Sequence, residues 1–177
     1  ISKFAGQGNN YAVGHHFGNK NGLIEAILSR HNEPIDRLRE RQLAALGPDP
    51  VLRDWVRCLV APQTDYLEQL GAPTHFARFA AQVSTDPATT LLLYEKMATS
   101  APLIRILTGF FSAVPPIPEP VLDARNDMTR HLITQSLADN ERALADALTE
   151  GISCATPWAQ QREITIDALV GLWQAPV

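Results

Sequence analysis

The stretch Ala5–Leu28 reads AGQGNNYAVGHHFGNKNGLIEAIL, and its reading decides the fold. Ahead of it, Ile1 to Ala5 has the character of a helix tail. Gly6-Gln7-Gly8 then supplies the backbone freedom that a tight helix–helix turn needs, because glycine takes left-handed conformations without a Cβ clash. A short helix over about 9–17 follows, rich in Asn, Tyr and His. Such side chains hydrogen-bond base edges and phosphates. Two short helices joined by a glycine turn, the second carrying this side-chain set, fit a helix-turn-helix whose second helix enters the major groove. Asn19 is placed to cap the next helix, while Gly22 denies it a capping box.

Outward from this stretch the periodicity stays helical. Ile24, Ile27, Leu28, His31, Ile35, Leu38 and Leu46 recur at three- and four-residue steps. They predict a long helix over about 20–46, ended by Gly47-Pro48, with Arg37, Arg39, Glu40 and Arg41 mostly off its apolar stripe. Pro34 inside it is a kink candidate. Further helices are expected over about 50–70, 74–85 and 88–99, then from Leu103 to Val114 after a break at Pro102, then over about 120–148 and 158–173. The four prolines of Pro115-Pro116-Ile117-Pro118-Glu119-Pro120 force an extended connection. No strand-type alternation and no internal repeat occurs. The fold class is all-α.

Composition sets the outer limits. The chain has 177 residues, 45% hydrophobic and 19% charged, which is the make-up of a core-forming protein. Fifteen Lys+Arg against nineteen Asp+Glu leave a net charge of −4, which by itself opposes a dedicated nucleic-acid binder. The average conceals an asymmetry. Residues 1–57 hold eight basic and six acidic side chains, a balance of +2, and residues 58–177 hold seven and thirteen, a balance of −6. Cys58 and Cys154 form no CxxC pair, so they support neither a zinc site nor a redox motif, and two buried reduced thiols are expected. No apolar run approaches the roughly 18–20 residues of a membrane span, and the N-terminus has no signal-peptide pattern.

The sequence contains no GxSxG, Walker A, dinucleotide-binding glycine set or HExxH. No catalytic residue, metal site or cofactor is assigned, and an enzyme is not expected. His15 and His16 are neighbours pointing about 100° apart on a helix, and Asn19 and Lys20 stand four residues on, so the pair lacks chelating partners. Glu95, Asp127 and Glu141 lack defined partners and read as solvated. Aromatic and sulfur-bearing side chains at Trp55, Phe76, Phe79, Tyr94, Met97, Phe110 and Met128, with His131, are either plain core or the lining of an apolar cavity between helices, where bundles place ligand sites.

Ala5–Leu28 resembles the DNA-binding signature of the tetracycline-repressor (TetR) family. The features that carry the likeness are His15-His16-Phe17, the small residue after it, and Lys20. The resemblance covers about the first 30 residues strongly and the rest only in layout. It implies a helix-turn-helix DNA-binding domain with a connecting helix over 1–46, and a ligand-binding and dimerisation bundle over 47–177. Asn9, Asn10 and Tyr11 would face bases or phosphates. Ala12 would permit close approach to the groove. His15 and His16 would lie at groove or phosphate contacts, and Lys20 would meet a phosphate. Gly14 departs from the family, many of whose members have a phosphate-touching tyrosine there. The family's first helix is expected ahead of Ile1. The final two helices would pair with those of a second copy through Leu137, Leu144, Ile166, Leu169 and Trp173. The implied partners are operator DNA, a hydrophobic or aromatic small-molecule effector and a second copy of the chain, with no membrane and in the cytoplasm. Two other classes remain open: a helical small-molecule-binding protein without DNA-binding activity, and a helical-bundle enzyme.

Overall fold

The computed structural model describes residues 17–151 and 155–177. The described residues are all-helical, with seven helices and no strand. In chain order these are α1 (Lys20–Ala44), α2 (Leu52–Leu70), α3 (Phe76–Thr85), α4 (Pro87–Ala98), α5 (Ala101–Ser112), α6 (Glu119–Glu150) and α7 (Trp158–Gln174). No helix among them is long and apolar enough to cross a membrane.

Local chemistry explains most of the boundaries. Asn19 caps α1, its Oδ1 accepting from Gly22 N at 2.9 Å. Val51 cannot cap α2 with its own side chain, but Asp54 reaches back to accept from Val51 N at 2.9 Å. Asp86 caps α4 and Ser100 caps α5, each followed by a proline in the first turn. Pro102 therefore opens α5 and does not interrupt a helix, which corrects the expected start at Leu103. Pro34 and Pro62 lie within α1 and α2, both of which continue past them. Gly151, with φ +71°, ends α6 in the left-handed conformation that favours glycine.

The core forms around α2, which packs on α1, α5 and α7, while α6 packs on α3 and α7. Val56, Val60, Leu67, Ile106, Phe110, Ile133, Leu137, Ile166, Leu169 and Trp173 make one cluster. A smaller second cluster joins Ile24 and Leu28 of α1 to Val83 of α3, with Phe79, Leu92 and Leu93 against it. The buried positions of the long helix α1 thus run from Ile24 to Arg39, and its leading turn at Lys20 and Asn21 is exposed.

Polar clips fix α6 and α7 as an antiparallel pair. Trp173 Nε1 donates to Thr129 Oγ1 at 2.8 Å, and the buried Arg125 donates to the carbonyl oxygens of Trp173 and Ala175 at 3.3 and 2.8 Å. Asn140 donates to Thr156 O and accepts from Thr156 N. An ionic lattice ties α7 to α2. Arg57 grips Glu163 with two hydrogen bonds of 2.7 and 2.8 Å, Arg53 meets Asp167, and Arg162 meets Asp65.

This packing corrects several expectations. Leu137, Ile166, Leu169 and Trp173 were expected at a dimer interface, but all four are at most 3% exposed within a single chain. Their apolar area is already consumed by α2, α5 and the α6–α7 contact, and Leu144 is half-buried against the same cluster. Arg39, expected off the apolar stripe, is buried and paired with Asp36 at 2.6 Å. Glu141, expected to be solvated, is buried beneath α3. Met128 and Leu148, though apolar, face solvent on α6.

Candidate functional site

The entry to α1 begins at Phe17-Gly18-Asn19. Gly18 has φ +71°, and Asn19 N donates to Phe17 O at 2.8 Å, so the chain turns sharply into α1. A Cβ on Gly22 would stand 2.2 Å from Phe17 O, so the close return of the backbone requires glycine there as well. Lys20 leads α1, exposed, with its ammonium 3.7 Å from the carboxylate of Asp86, the N-cap of α4. Such an exposed pair holds its charge loosely, contributing about 0–1 kcal/mol. Asn9, Asn10, Tyr11, Ala12, His15 and His16 lie outside the described residues.

Phe79 stands at the meeting of three clefts. One, of about 370 Å³, is lined by Ile27 and His31 of α1, Leu70, Pro73, Thr74, His75, Phe76 and Phe79. A second, of about 520 Å³, lies between α3 and α6 and carries His75, Arg78, Gln82, Gln135 and Arg142. The third, of about 530 Å³, runs under Lys20, Leu23, Ile24 and Ile27 toward Asp86 and Thr89.

The wall of the first cleft is a stack. His31 lies on Phe76 at 4.0 Å with the planes 15° apart, and Tyr66 meets both edge-on. Tyr66 Oη and His31 Nδ1 share a hydrogen bond of 2.7 Å. Burial, and after it the Arg30 charge, hold the His31 pKa below its ordinary 6.5, against an upward pull from Glu141. Burial likewise raises the Tyr66 pKa.

Behind the second cleft, Glu141 performs an N-cap from another helix. Its carboxylate accepts from Ala77 N at 3.1 Å and Arg78 N at 3.0 Å, and from Arg78 Nε at 3.2 Å. His75, at the cap position of α3, supplies no such bond. The buried charge is therefore met by two backbone donors and a guanidinium, the pairing that a buried carboxylate requires.

Of the eight expected ligand residues, only Phe76 and Phe79 meet at one cleft. Trp55 lines a separate apolar cleft of about 430 Å³ with Leu43, Leu46, Ile104 and Gly109. Phe110 is buried edge-on against Trp173 at 4.8 Å, so it is core. Met97 packs on the same core from α4. Tyr94 is exposed on α4, and Met128 and His131 are exposed on α6. Sequence reasoning missed Ile27, Arg78, Gln82 and Arg142 because two of the clefts form only where α3 meets α1 or α6. The one available signal was the helical phase shared by Arg78 and Gln82, four residues apart.

Burial pushes the Cys58 thiol up to about 11, so it stays protonated and inert. No group of three or more His, Cys, Asp or Glu among the described residues is arranged to hold a metal. Comparison with known proteins gives no matching family model, no matching curated protein and no matching solved structure.

Proposed function

We propose that the chain is a transcriptional regulator of TetR type, a ligand-responsive repressor working in the cytoplasm as a homodimer on a palindromic operator. The observation that carries this reading is the sequence Gly6–Lys20 feeding, through the Asn19-capped turn, into α1. At 25 residues α1 spans about 37 Å, and it is packed on α2, α4 and α5, so a tilt of the body moves its leading end. Lys20 at that end is exposed and only loosely held by Asp86, which leaves it available to a phosphate. The +2 balance of residues 1–57 against −6 for the remainder favours approach to DNA by the leading end.

The dimer surface is reassigned to the outward strip of α6 and α7. Met128 on α6, with Ile164, Ala168 and Gly171 on α7, is exposed there. A Cβ on Gly171 would meet nothing within 4 Å, so nothing among the described residues requires this helix glycine. Small residues at such positions let a second helix approach closely, and two-fold pairing through one strip gives an isologous four-helix contact.

An effector acts by favouring one of two tilts of α1, and only through its difference in affinity between them. The deciding experiment is selection of operator sequences from random DNA, followed by binding at several salt concentrations. Asn10→Ala and Tyr11→Ala should alter which sequence is preferred, whereas Lys20→Ala should weaken all sequences together and flatten the salt slope. Equal loss on every DNA for all three variants would defeat the role assignment. No enrichment of any sequence would favour the alternative of a small-molecule-binding helical protein, which the clefts around Phe79 also suit.

A further inference from the structure

Two neighbouring clefts that share His75 and Phe79 in their linings differ in character, and the difference specifies a ligand. The charged side chains lining the α3–α6 cleft are Arg78 and Arg142, with His75 beside them. No carboxylate lines it. Glu141 lies behind Arg78, its oxygens taken up by Ala77 N, Arg78 N and Arg78 Nε. Asp139 holds only Arg142 Nη1, at 3.0 Å on the exposed side of α6. Arg142 Nε and Nη2 and the amides of Gln82 and Gln135 make no hydrogen bond among the described residues. Across the shared His75 and Phe79, the neighbouring cleft is apolar, with Ile27, Leu70, Pro73 and the stacked His31–Phe76 pair.

We propose that these clefts together bind a small monocarboxylate with an apolar aromatic body. The carboxylate sits against Arg142, with Gln82 and Gln135 as further donors, and the aromatic body passes Phe79 to rest on Ile27 and the edge of the His31–Phe76 stack. A guanidinium suits a carboxylate because its paired N–H groups match both oxygens. The far end of the ligand would touch α1, whereas its acid end touches α3 and α6. It therefore bridges the helix that begins at Lys20 and the body. This inference deepens the effector reading above, but ligand binding itself needs no DNA and is measured without it.

The test is isothermal titration of the full chain with 2-naphthoate and with neutral 2-naphthamide, whose body is the same. Naphthoate should bind saturably and at least tenfold more tightly than the amide. Arg142→Gln, at an exposed position, should remove that preference while leaving the thermal midpoint of the free protein unchanged. Gln135→Trp, which fills the acid end, should abolish naphthoate binding. Equal affinity for the two probes, no binding of either, or full naphthoate affinity in Arg142→Gln would overturn the proposal. Failure to select an operator would defeat the DNA-binding reading and leave this one standing.

Discussion

His31 is a half-buried imidazole whose ordinary titration range coincides with mild acid. Its folded pKa is lowered, so between that value and 6.5 the unfolded chain holds more protons than the folded one. Stability is therefore highest above pH 6.5 and declines as the pH falls toward the folded pKa. The His31→Gln variant should show a flatter dependence of thermal midpoint on pH between 7 and 5. An unchanged slope would assign the acid sensitivity elsewhere. Gly109 illustrates the opposite situation, a residue defined by what it lacks. A Cβ there would stand 2.3 Å from the Trp55 ring, so the indole lies directly on the backbone of α5. Alanine in a helix ordinarily gains up to about 1 kcal/mol over glycine. Here Gly109→Ala should instead cost about 1–3 kcal/mol through overpacking, read from chemical denaturation. Neither property is visible in the sequence, where His31 is one member of an apolar stripe and Gly109 one glycine between Thr108 and Phe110.

At the scale of elements, α3 depends on α6 for its N-terminus. The first turn of any helix has unpaired N–H groups, and an acceptor supplied within the chain's own cap residue is the usual remedy. His75 supplies none, and Glu141, from the middle of α6, does so from more than sixty residues away. Glu141→Ala should destabilise the fold by about 2–4 kcal/mol, because two buried donors and the Arg78 guanidinium lose their acceptor together. Glu141→Gln, which keeps an acceptor oxygen, should cost less, and denaturation midpoints of the two variants distinguish capping from charge. A single acidic residue on a helix gives no sequence signal for this role, which explains why it reads as solvated. Capping by near neighbours is different. Asn19 before α1 is legible because donor and acceptor lie three residues apart.

At the scale of the molecule, the final two helices are mostly committed inward. Ile166, Leu169 and Trp173 belong to the core, and the ionic lattice of Arg53, Arg57 and Arg162 with Asp65, Glu163 and Asp167 secures α7 against α2. In the proposed homodimer, the outward strip is what these two helices offer a partner. Ile164→Glu should yield a monomer by analytical ultracentrifugation with an unchanged circular dichroism spectrum. Trp173→Ala should lose several kcal/mol of stability in the monomer itself, in the range of about 3–5 kcal/mol for emptying a buried aromatic site. A dimer that survives Ile164→Glu would place the interface on another face.

The sequence by itself determined the helical class, the approximate run of each helix from Lys20 onward and the Asn19 cap, because each depends on residues within a few positions of one another. Periodicity separates an apolar face from a polar one, but it does not state which neighbour that face meets. Tertiary structure alone decided that Trp173 and Leu169 pack inside the chain, that Glu141 caps a distant helix, and that Arg78, Arg142 and Phe79 converge on a cleft. Those outcomes depend on how α3 and α6 cross and how α7 lies on α2, and crossing geometry arises from side chains far apart in the chain.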